Sequence, residues 1–295
     1  MVRITPISIL CILTFICESL VMSQFQKIAV VTGSNKGIGY EIAGKLGSAG
    51  FKTIIACRNP ALGEEAASSL RTKGYDAEFR QVDISDFNSI KAFSEVMGKE
   101  YGRCDVLVNN AAMAFKAKDP TPFPQQAEPT IHTNFFGTLE MSSAMLPLLK
   151  SSSSCSRIVN IASMVGHLRL FKDSEERKAQ FTSPALTIEE LKQLMSQFVS
   201  DAQTGVHAAN GWPSSCYGMS KLAVIAMTKV MARENPEMSV TACCPGYCDT
   251  DMTSHKGPRP PEHGARTAAM LAMMSDDQAL SMSGKFFENE EESEW

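Results

Sequence analysis

Tyr217 and Lys221 form the residue pair whose types and spacing point most directly to chemistry. Residues at positions i and i+4 of a helix lie one above the other on one face. An ammonium group that close favours the tyrosinate form, so the phenol can donate and accept a proton near neutral pH. Because such pairs are common on exposed helices, this pair predicts a catalytic site only if other segments supply the remaining parts.

A serine after an apolar strand supplies a further polar group. Residues 157–161 predict a buried strand that runs into Ala162 and Ser163. The Ser163 hydroxyl is placed to donate a hydrogen bond to a carbonyl oxygen. Ser163 is therefore a second candidate for the catalytic site.

The elements that must position these side chains begin with a glycine-rich turn. The apolar residues 28–31 predict a buried parallel strand, and a helical pattern begins near Ile42. Between them, Gly33 allows a tight turn, Gly37 lets the backbone approach a pyrophosphate, and Gly39 lets the helix pack on the strand. The spacing G-x-x-x-G-x-G predicts a dinucleotide site, with an ordinary glycine-rich turn as the alternative.

Two cations near this turn favour NADP(H) over NAD(H). A strand at residues 52–56 leads to Arg58, and Lys36 lies inside the glycine turn. An NAD site usually carries an acid about 20 residues past the glycines, where it holds the ribose 2′-hydroxyl. Two cations without a carboxylate suit a 2′-phosphate instead. The alternative is that both are solvated surface cations.

Polar residues follow the next two predicted strands. Asp83, at the end of the third strand, can accept a hydrogen bond from an adenine amino group or cap the helix that starts near residues 85–86. The fourth strand, residues 105–108, runs into Asn109 and Asn110. Because small residues and amides at a strand's carboxyl end fit the crevice where cofactors lie, these residues extend the predicted cofactor site.

The chain resembles the short-chain dehydrogenase/reductase family, and within it the monomeric NADPH-dependent carbonyl reductases. The resemblance runs from about residue 27 to the end and is carried by residues 33–39, 105–111, 119–123, 133–137, 211–215 and 243–246. It implies an α/β fold with a single Rossmann-like, doubly wound parallel sheet, helices on both faces, and a helical insertion before the catalytic Tyr. The implied cofactor is NADPH/NADP+, and the implied substrates are small carbonyl compounds.

The resemblance also implies a catalytic role for each of four residues. Tyr217 would protonate the carbonyl oxygen, and Lys221 would depress the Tyr217 pKa and bind the nicotinamide ribose. Ser163 would polarise the carbonyl, whose oxygen gains negative charge as hydride arrives. Asn134 would hold a water that links Lys221 to solvent. For Asn134 the alternative is a buried amide bonded to backbone inside a helix.

Further contacts follow from the same resemblance. The implied cofactor-binding residues are Gly33, Asn35, Lys36, Gly37, Ile38, Gly39, Arg58, Asp83, Ile84, Asn110, Tyr217, Lys221, Pro245, Gly246, Cys248 and Thr250. The implied substrate-binding residues are Phe115, Gln126, Ser163, Trp212, Tyr217 and Tyr247. The chain departs from the family's usual residues at Ala112, Tyr247, Cys248 and Asp249, so the substrate range does not follow from the resemblance.

The domain organisation follows from length and patterning. A chain of 295 residues with 44% hydrophobic residues can bury one large core, and no linker interrupts the alternation of strands and helices. We expect one domain over residues 25–295, with an insertion at about 166–213. Residues 1–24 form an apolar extension whose stretch at residues 4–17 is shorter than the roughly 20 residues of a spanning helix. This extension resembles a signal segment or an upstream-start segment.

Charge and cysteine content limit the partners and the location. The net charge of −4 gives no basic patch for nucleic acid. Nine cysteines without a repeated C-x-x-C spacing argue against a disulfide scaffold and a zinc site, and five scattered histidines form no metal-ligand spacing. We expect a cytoplasmic protein without metal, with a weak membrane or secretory alternative from residues 1–24. The acidic residues 288–294 predict a solvated tail.

The long segment between Ser163 and Tyr217 predicts an additional helix. Thr187 and Glu190 form a capping box, and Gly205 can end the helix. An apolar stripe at helical spacing consists of Ile188, Leu191, Met195, Phe198 and Val199. The resemblance implies that this helix covers the surface through which related subunits associate, so we expect a monomer. The segment should also wall one side of the substrate cleft near Trp212.

Three functions remain open at this point. The first is an NADPH-dependent reductase of ketones, aldehydes and quinones with Tyr217 as proton donor. The second is a catalytically silent NADPH-binding sensor or scaffold on the same fold. The third is a membrane-attached steroid or retinoid dehydrogenase, which would require that residues 1–24 be retained. The presence of Asn134, Ser163, Tyr217 and Lys221 in one chain favours the first.

Overall fold

A mostly parallel eight-stranded sheet forms the centre of the protein. The computed structural model describes residues 26–116, 118–172 and 174–295, so the predicted extension over residues 1–24 lies outside the described residues. The strands are β1 (Ile28–Thr32), β2 (Lys52–Cys57), β3 (Ala77–Gln81), β4 (Val106–Asn109), β5 (Arg157–Ile161), β6 (Ser239–Cys244), β7 (Phe286–Glu288) and β8 (Glu291–Ser293). They lie in the order β3-β2-β1-β4-β5-β6-β7-β8, and all neighbours are parallel except β7 and β8.

Helices cover both faces of this sheet. They are α1 (Gly37–Ser48), α2 (Pro60–Thr72), α3 (Phe87–Glu100), α4 (Phe123–Ile131), α5 (Gly137–Lys150), α6 (Glu175–Thr182), α7 (Ile188–Thr204), α8 (Cys216–Glu234), α9 (Pro261–Met273) and α10 (Asp276–Ser281). A π-helical turn, His132–Phe136, joins α4 to α5, and two 3-10 turns, Met164–Gly166 and Leu168–Phe171, follow β5. Helices α3, α4, α5, α7 and α8 share one core, and α1, α2 and α9 share the other.

Strand β1 shows why the sheet is buried on both faces. All of its residues are buried, with Val30 in one core and Val31 in the other. Successive side chains of a strand point to opposite faces, so an unbroken apolar run fits a sheet that helices cover on both sides. The predicted doubly wound α/β fold is confirmed.

The chain changes direction across the sheet beside β1. After β1 it builds β2 and β3 on one side, and it then returns to place β4 on the other side of β1. Because the connections from β1 and β4 run in opposite directions, a crevice forms at the carboxyl ends of these two strands, where α/β proteins bind ligands. The glycine turn and Asn110 lie at this crevice.

The inserted helix α7 forms as the capping residues predict. The Thr187 hydroxyl accepts a hydrogen bond from the Glu190 N–H at 3.2 Å, and the Glu190 carboxylate accepts one from the Thr187 N–H at 2.9 Å. Gly205 ends the helix in a left-handed conformation with φ of 78°. The apolar stripe is buried at Leu191, Met195 and Phe198, and α7 packs against α4 and the long helix α8.

The prediction of a solvated acidic tail is wrong. Residues 286–293 form the hairpin of β7 and β8, and β7 extends the parallel sheet beside β6. Phe286 and Phe287 are buried and hold β7 in place, while the exposed Glu291 and Glu292 lie on the outer strand. Charged side chains are a common way to protect a sheet edge, so the acidic residues mark an edge strand here. Among the described residues, no helix is long and apolar enough to cross a bilayer.

Candidate active site

Helix α8 presents Tyr217 and Lys221 at the carboxyl end of β5. The helix begins after Ser215, whose hydroxyl accepts a hydrogen bond from the Gly218 N–H at 3.1 Å. The Lys221 ammonium lies 5.7 Å from the centroid of the Tyr217 ring. It donates a hydrogen bond to the Ile161 carbonyl oxygen at 2.7 Å, and the Lys221 residue is 3% exposed. Lys221 is thus buried and Tyr217 is half-buried, so the predicted pair does not lie on the exposed surface of the helix.

Burial sets the proton affinities of this pair. Loss of hydration lowers the pKa of Lys221 to about 8. Burial raises the pKa of the Tyr217 phenol above its usual range, and the Cys244 thiol adds in the same direction. The predicted lowering of the Tyr217 pKa by Lys221 is not seen in this structure, because burial is the largest influence on the phenol and raises its pKa. A phenol with a raised pKa is a protonated donor at neutral pH.

Ser163 lies on a short segment that packs against α8. It caps the 3-10 turn Met164–Gly166, and its hydroxyl accepts a hydrogen bond from the Val165 N–H at 3.3 Å. A Cβ atom at Gly166 would lie 2.7 Å from the backbone of both Lys221 and Leu222. The segment therefore touches the backbone of the helix that carries the Tyr217–Lys221 pair.

Asn134 lies in the π-helical turn and is 1% exposed. Its side-chain oxygen accepts from the Met113 N–H at 2.8 Å, and its Nδ2 donates to the Met113 carbonyl at 2.9 Å and to the Ser220 hydroxyl at 3.0 Å. The structure supports the alternative considered for Asn134, a buried amide bonded to backbone. Its bond to Ser220 also ties helix α8 to the chain after β4.

The glycine turn depends on Gly33 and Gly39. Gly33 has a φ of +66°, a conformation that side-chain-bearing residues rarely adopt. A Cβ atom at Gly39 would lie 2.5 Å from the Asn110 Nδ2 and 2.6 Å from the Gly33 oxygen. Asn110 Nδ2 donates to the Thr32 carbonyl at 2.9 Å, so this amide fastens the turn to the end of β4.

The first turn of α1 fits the pyrophosphate of a dinucleotide. Lys36 precedes this helix without a side-chain cap, and the first turn contains no acidic residue. Unpaired N–H groups at a helix N-terminus attract an anion. Of the residues that the structure describes, a Cβ atom at Gly37 would have only Thr250 within 4 Å, at 3.6 Å, so Gly37 borders open space beside the loop after β6. The residues present therefore fit NADP(H), and among the described residues no cluster of three His, Cys, Asp or Glu side chains suits a metal.

The two predicted 2′-phosphate cations have different environments. Arg58 is exposed after β2, and its guanidinium has no hydrogen bond or ion pair within the described ranges. Lys36 already forms an ion pair with Asp251, whose other carboxylate oxygen is 2.9 Å from the Nε2 of His255. Lys36 hydrogen-bonds Asp251 and holds the pKa of that carboxyl below its usual range. Arg58 is the freer of the two cations.

Asp83 closes a turn at the end of β3. Its Oδ1 accepts from the Ser85 N–H at 3.0 Å and from the Ser85 hydroxyl at 2.7 Å. The cap of helix α3 is Asp86, so the expectation that Asp83 caps this helix is wrong. The adjacent Ile84 is buried, and its carbonyl oxygen would lie 2.1 Å from a Cβ atom at Gly137. Asp83 keeps its other carboxylate oxygen for the predicted contact with adenine.

The loop after β6 carries the remaining predicted cofactor residues. Gly246 has a φ of +78°, and Cys248 is buried, with its thiol 3.3 Å from the Pro245 oxygen. The Cys244 sulfur accepts from the N–H groups of Met164 at 3.2 Å and Gly246 at 3.3 Å. Cys244 thereby joins the Ser163 segment to this loop, a positioning role that was not predicted from the sequence. Its only sequence signal was its place directly before Pro245 and Gly246.

Trp212 does not line a substrate pocket. It is 3% exposed, and its Nε1 donates to the Asp201 carboxylate at 2.8 Å. Phe171, Phe181 and Phe198 surround its ring. The prediction of a substrate contact for Trp212 is therefore wrong, because the indole forms the core of the insertion.

The other predicted substrate residues remain accessible. Tyr247 is 50% exposed on the loop after β6. Phe115 and Gln126 are half-buried on the chain between β4 and the end of α4, where the Gln126 amide donates to the Thr121 carbonyl at 2.7 Å. Asn35 and Ile38 are half-buried on the glycine turn and the start of α1. These positions stay candidates for contacts with substrate or cofactor.

Comparison with known proteins identifies relatives over nearly the whole chain. Carbonyl reductase (NADPH) 1 from Pongo abelii is 41% identical over 281 residues, which cover 93% of this chain and 100% of that protein. The Homo sapiens protein of the same name is 40% identical over 281 residues, with the same coverage.

Solved structures and a family model agree with these relatives. Salutaridine reductase from Papaver somniferum has a TM-score of 0.81 and 28% identity, and the match covers 89% of this chain and 99% of that chain. Menthone neomenthol reductase from Mentha piperita has a TM-score of 0.76 and 28% identity, with 90% and 100% covered. The family model described as short chain dehydrogenase matches residues 27–174 and 202–260. The protein therefore belongs to the short-chain dehydrogenase/reductase family.

Proposed function

We propose that the protein uses NADPH to reduce carbonyl compounds, namely ketones, aldehydes and quinones, to alcohols. The observation that carries this proposal is the Tyr217–Lys221 pair, in which the buried Lys221 is bonded to the end of β5 beside the segment of Ser163. The names of the relatives, carbonyl reductase (NADPH) 1, support the same activity at 40–41% identity. A raised Tyr217 pKa suits the role of acid, because the phenol enters the reaction protonated.

The site residues divide the work of reduction. NADPH, when bound, would supply the hydride that reduces the carbonyl carbon. Tyr217 donates a proton to the carbonyl oxygen, and the Ser163 hydroxyl donates a hydrogen bond to the same oxygen as negative charge develops on it. One ammonium hydrogen of Lys221 is donated to the Ile161 carbonyl oxygen, so two remain to bind the nicotinamide ribose. Its pKa of about 8 also lets it exchange a proton near neutral pH.

The proposed cofactor site extends from the glycine turn to the loop after β6. The N–H groups at the start of α1 hold the pyrophosphate, and Arg58 holds the 2′-phosphate. Lys36 contributes to the same phosphate only after its ion pair with Asp251 opens. Asn110 acts by fastening the turn, and Asn134 acts by fixing the helix that carries Tyr217.

We further propose that the protein is a cytoplasmic monomer. Helix α7 buries its apolar stripe against α4 and α8, which supports the idea that the insertion covers the α8 surface. The seven cysteines within the described ranges all carry free thiols, which fits a reducing compartment.

A panel of carbonyl compounds tests the proposed function. NADPH oxidation is measured with quinones, aromatic ketones, steroids and prostaglandin-like ketones, and the alcohol product is identified. We expect turnover of at least one ketone class. NADPH binding without turnover of any compound would favour the silent sensor or scaffold instead.

A further inference from the structure

The indole of Trp295 contacts the segment that carries Ser163. Its Nε1 donates a hydrogen bond to the Gly166 carbonyl oxygen at 3.0 Å. Its ring lies 5.4 Å from the Lys229 ammonium on α8 and packs against two apolar clusters of the core. Trp295 therefore touches the 3-10 turn after β5 and the catalytic helix at the same time.

Gly166 transmits this contact to both sides of the site. Its N–H donates to the Ser163 carbonyl oxygen in a 2.9 Å hydrogen bond. A Cβ atom at Gly166 would meet the Lys221 and Leu222 backbone at 2.7 Å, so Gly166 lies directly on α8. A hydrogen bond to the Gly166 carbonyl from the side away from α8 therefore keeps the turn Met164–Gly166 packed against α8, and this fixes the position of Ser163.

The β7–β8 hairpin provides a second attachment for the same segment. The His167 Nε2 lies 3.3 Å from a carboxylate oxygen of Glu288, and the His167 ring packs edge-on against Phe286 with centroids 5.5 Å apart. Both contacts and the Trp295 bond fall within the short stretch of Gly166 and His167. The hairpin region thus holds the Ser163 segment at two successive residues.

We propose that Trp295 is a positioning residue for carbonyl reduction, which it supports by holding the Ser163 segment against helix α8. This inference rests on the proposed function, because it assumes that Ser163 donates a hydrogen bond to the substrate carbonyl. In this proposal Trp295 makes no contact with the substrate or the cofactor. It acts through Gly166, and the Glu288–His167 contact supports the same segment.

Three variants separate positioning from general stability. Trp295→Phe keeps an aromatic ring over Lys229 but removes the indole N–H, whereas Trp295→Ala removes both. Phe287→Leu is the matched control, because Phe287 lies on the hairpin that precedes Trp295 but packs into the other core. For a ketone, kcat should fall about three- to tenfold in Trp295→Phe, the size expected for one hydrogen bond, and further in Trp295→Ala. Phe287→Leu should lower the melting temperature and leave kcat unchanged.

The choice of substrate gives a readout that stability would not change. Hydride transfer to a quinone needs less assistance at oxygen than transfer to a ketone, so Trp295→Phe should lower ketone turnover more than quinone turnover. The dissociation constant for NADP+ should not change. If Trp295→Phe lost ketone and quinone turnover equally, or if Phe287→Leu lost as much ketone turnover as Trp295→Phe, Trp295 would contribute only to stability. Either result would overturn the proposal.

A double-mutant cycle with Ser163→Ala distinguishes this proposal from the proposed function. If Trp295 acts through Ser163, Trp295→Phe should cause no further loss of ketone turnover in the Ser163→Ala background. Additive losses would overturn the positioning role. If Ser163→Ala alone kept full ketone turnover, the role of Ser163 in the proposed function would fail first.

Discussion

Lys221 donates a hydrogen bond to the carbonyl oxygen of Ile161 at 2.7 Å, and this bond joins helix α8 to the carboxyl end of β5. The bond satisfies one ammonium hydrogen of a lysine that is 3% exposed. It does not restore the hydration that burial removes, so the pKa of Lys221 falls to about 8. The residue that orients the site is therefore also one that costs folding stability while it is charged.

The pH dependence of stability should reveal this cost. Between a pH of about 8 and the ordinary lysine pKa of 10.5, the unfolded state keeps a proton on Lys221 that the folded state has lost. Unfolding then takes up a proton, so the contribution of Lys221 makes stability rise with pH across this window. Below about pH 8 the cost is fully present. In Lys221→Met this contribution disappears.

Urea unfolding of wild type and Lys221→Met at several pH values checks this prediction. The raised pKa values of Tyr217 and Cys243 act in the opposite direction. Loss of the Lys221 charge would raise the Cys243 pKa further, so this thiol stays protonated across the window in both folded proteins and its contribution largely cancels in the difference. The stability of wild type relative to the variant should increase by about 2–4 kcal/mol across the window. If the difference in unfolding free energy between the two proteins did not change with pH, the pKa of Lys221 would not be lowered in the folded state.

Gly39 and Gly44 on helix α1 should respond oppositely to alanine. A Cβ atom at Gly39 would lie 2.5 Å from the Asn110 Nδ2, which breaks the contact that fastens the glycine turn. A Cβ atom at Gly44 would meet a single neighbour within 4 Å in the described part of the chain, a Leu70 methyl at 3.6 Å. Gly39→Ala should therefore lose NADP+ binding, whereas Gly44→Ala should keep it and gain about 0.5–1 kcal/mol of stability. Isothermal titration calorimetry measures NADP+ affinity, and thermal unfolding measures stability. Equal NADP+ affinities of Gly39→Ala and Gly44→Ala would contradict the assigned cofactor site.

Arg58 should contribute more than Lys36 to the preference for NADPH over NADH. One charge-assisted bond contributes about 1.5–3 kcal/mol, so the preference should be at least about tenfold. Lys36 must first leave Asp251, so part of its contribution is lost. Arg58→Asp should abolish the preference, while Lys36→Ala should only reduce it. Ratios of kcat/KM for the two cofactors test this, and an unchanged preference in Arg58→Asp would reject the assignment.

The sheet and the glycine turn were predictable because local patterns determine them. Unbroken apolar runs such as the one with Val30 and Val31 specify strands that are buried on both faces. The spacing of the glycines indicates where the backbone makes a tight turn and where the helix packs closely on the strand. The capping box of Thr187 also predicted the start of α7 correctly. In each case, residues that are close together in the sequence are sufficient to predict the local structure.

The environments of Trp212, Tyr217 and Trp295 were not predictable in the same way. The burial of Trp212 depends on Asp201 and on aromatic residues far along the chain, and the Tyr217 pKa depends on water lost through tertiary packing. Acidic composition suggested a solvated tail because it does not reveal that Phe286 anchors a hairpin there. These features arise from long-range contacts that a sequence pattern does not encode.

The insertion should keep the protein monomeric. Light scattering of residues 25–295 at micromolar concentration should give one species close to the 32.1 kDa mass of a single full chain, slightly reduced by the missing extension. Phe198→Asp places a charge in the buried stripe of α7 and should expose the underlying surface, whereas Gln193→Asp changes the charge on the outer face. The first should aggregate or associate, and the second should stay monomeric. A stable dimer of the unmodified protein would contradict the covering role of α7.

Replacement of Tyr217 by Phe tests the central claim most directly. The variant keeps the ring and loses only the hydroxyl, so NADPH binding should not change. Ketone reduction, measured as alcohol formed in the presence of NADPH, should fall by a factor of at least about 100, the usual size of a general-acid contribution. If Tyr217→Phe bound NADPH and formed alcohol from the ketone at the wild-type rate, Tyr217 would not be the proton donor and the proposed mechanism would be wrong.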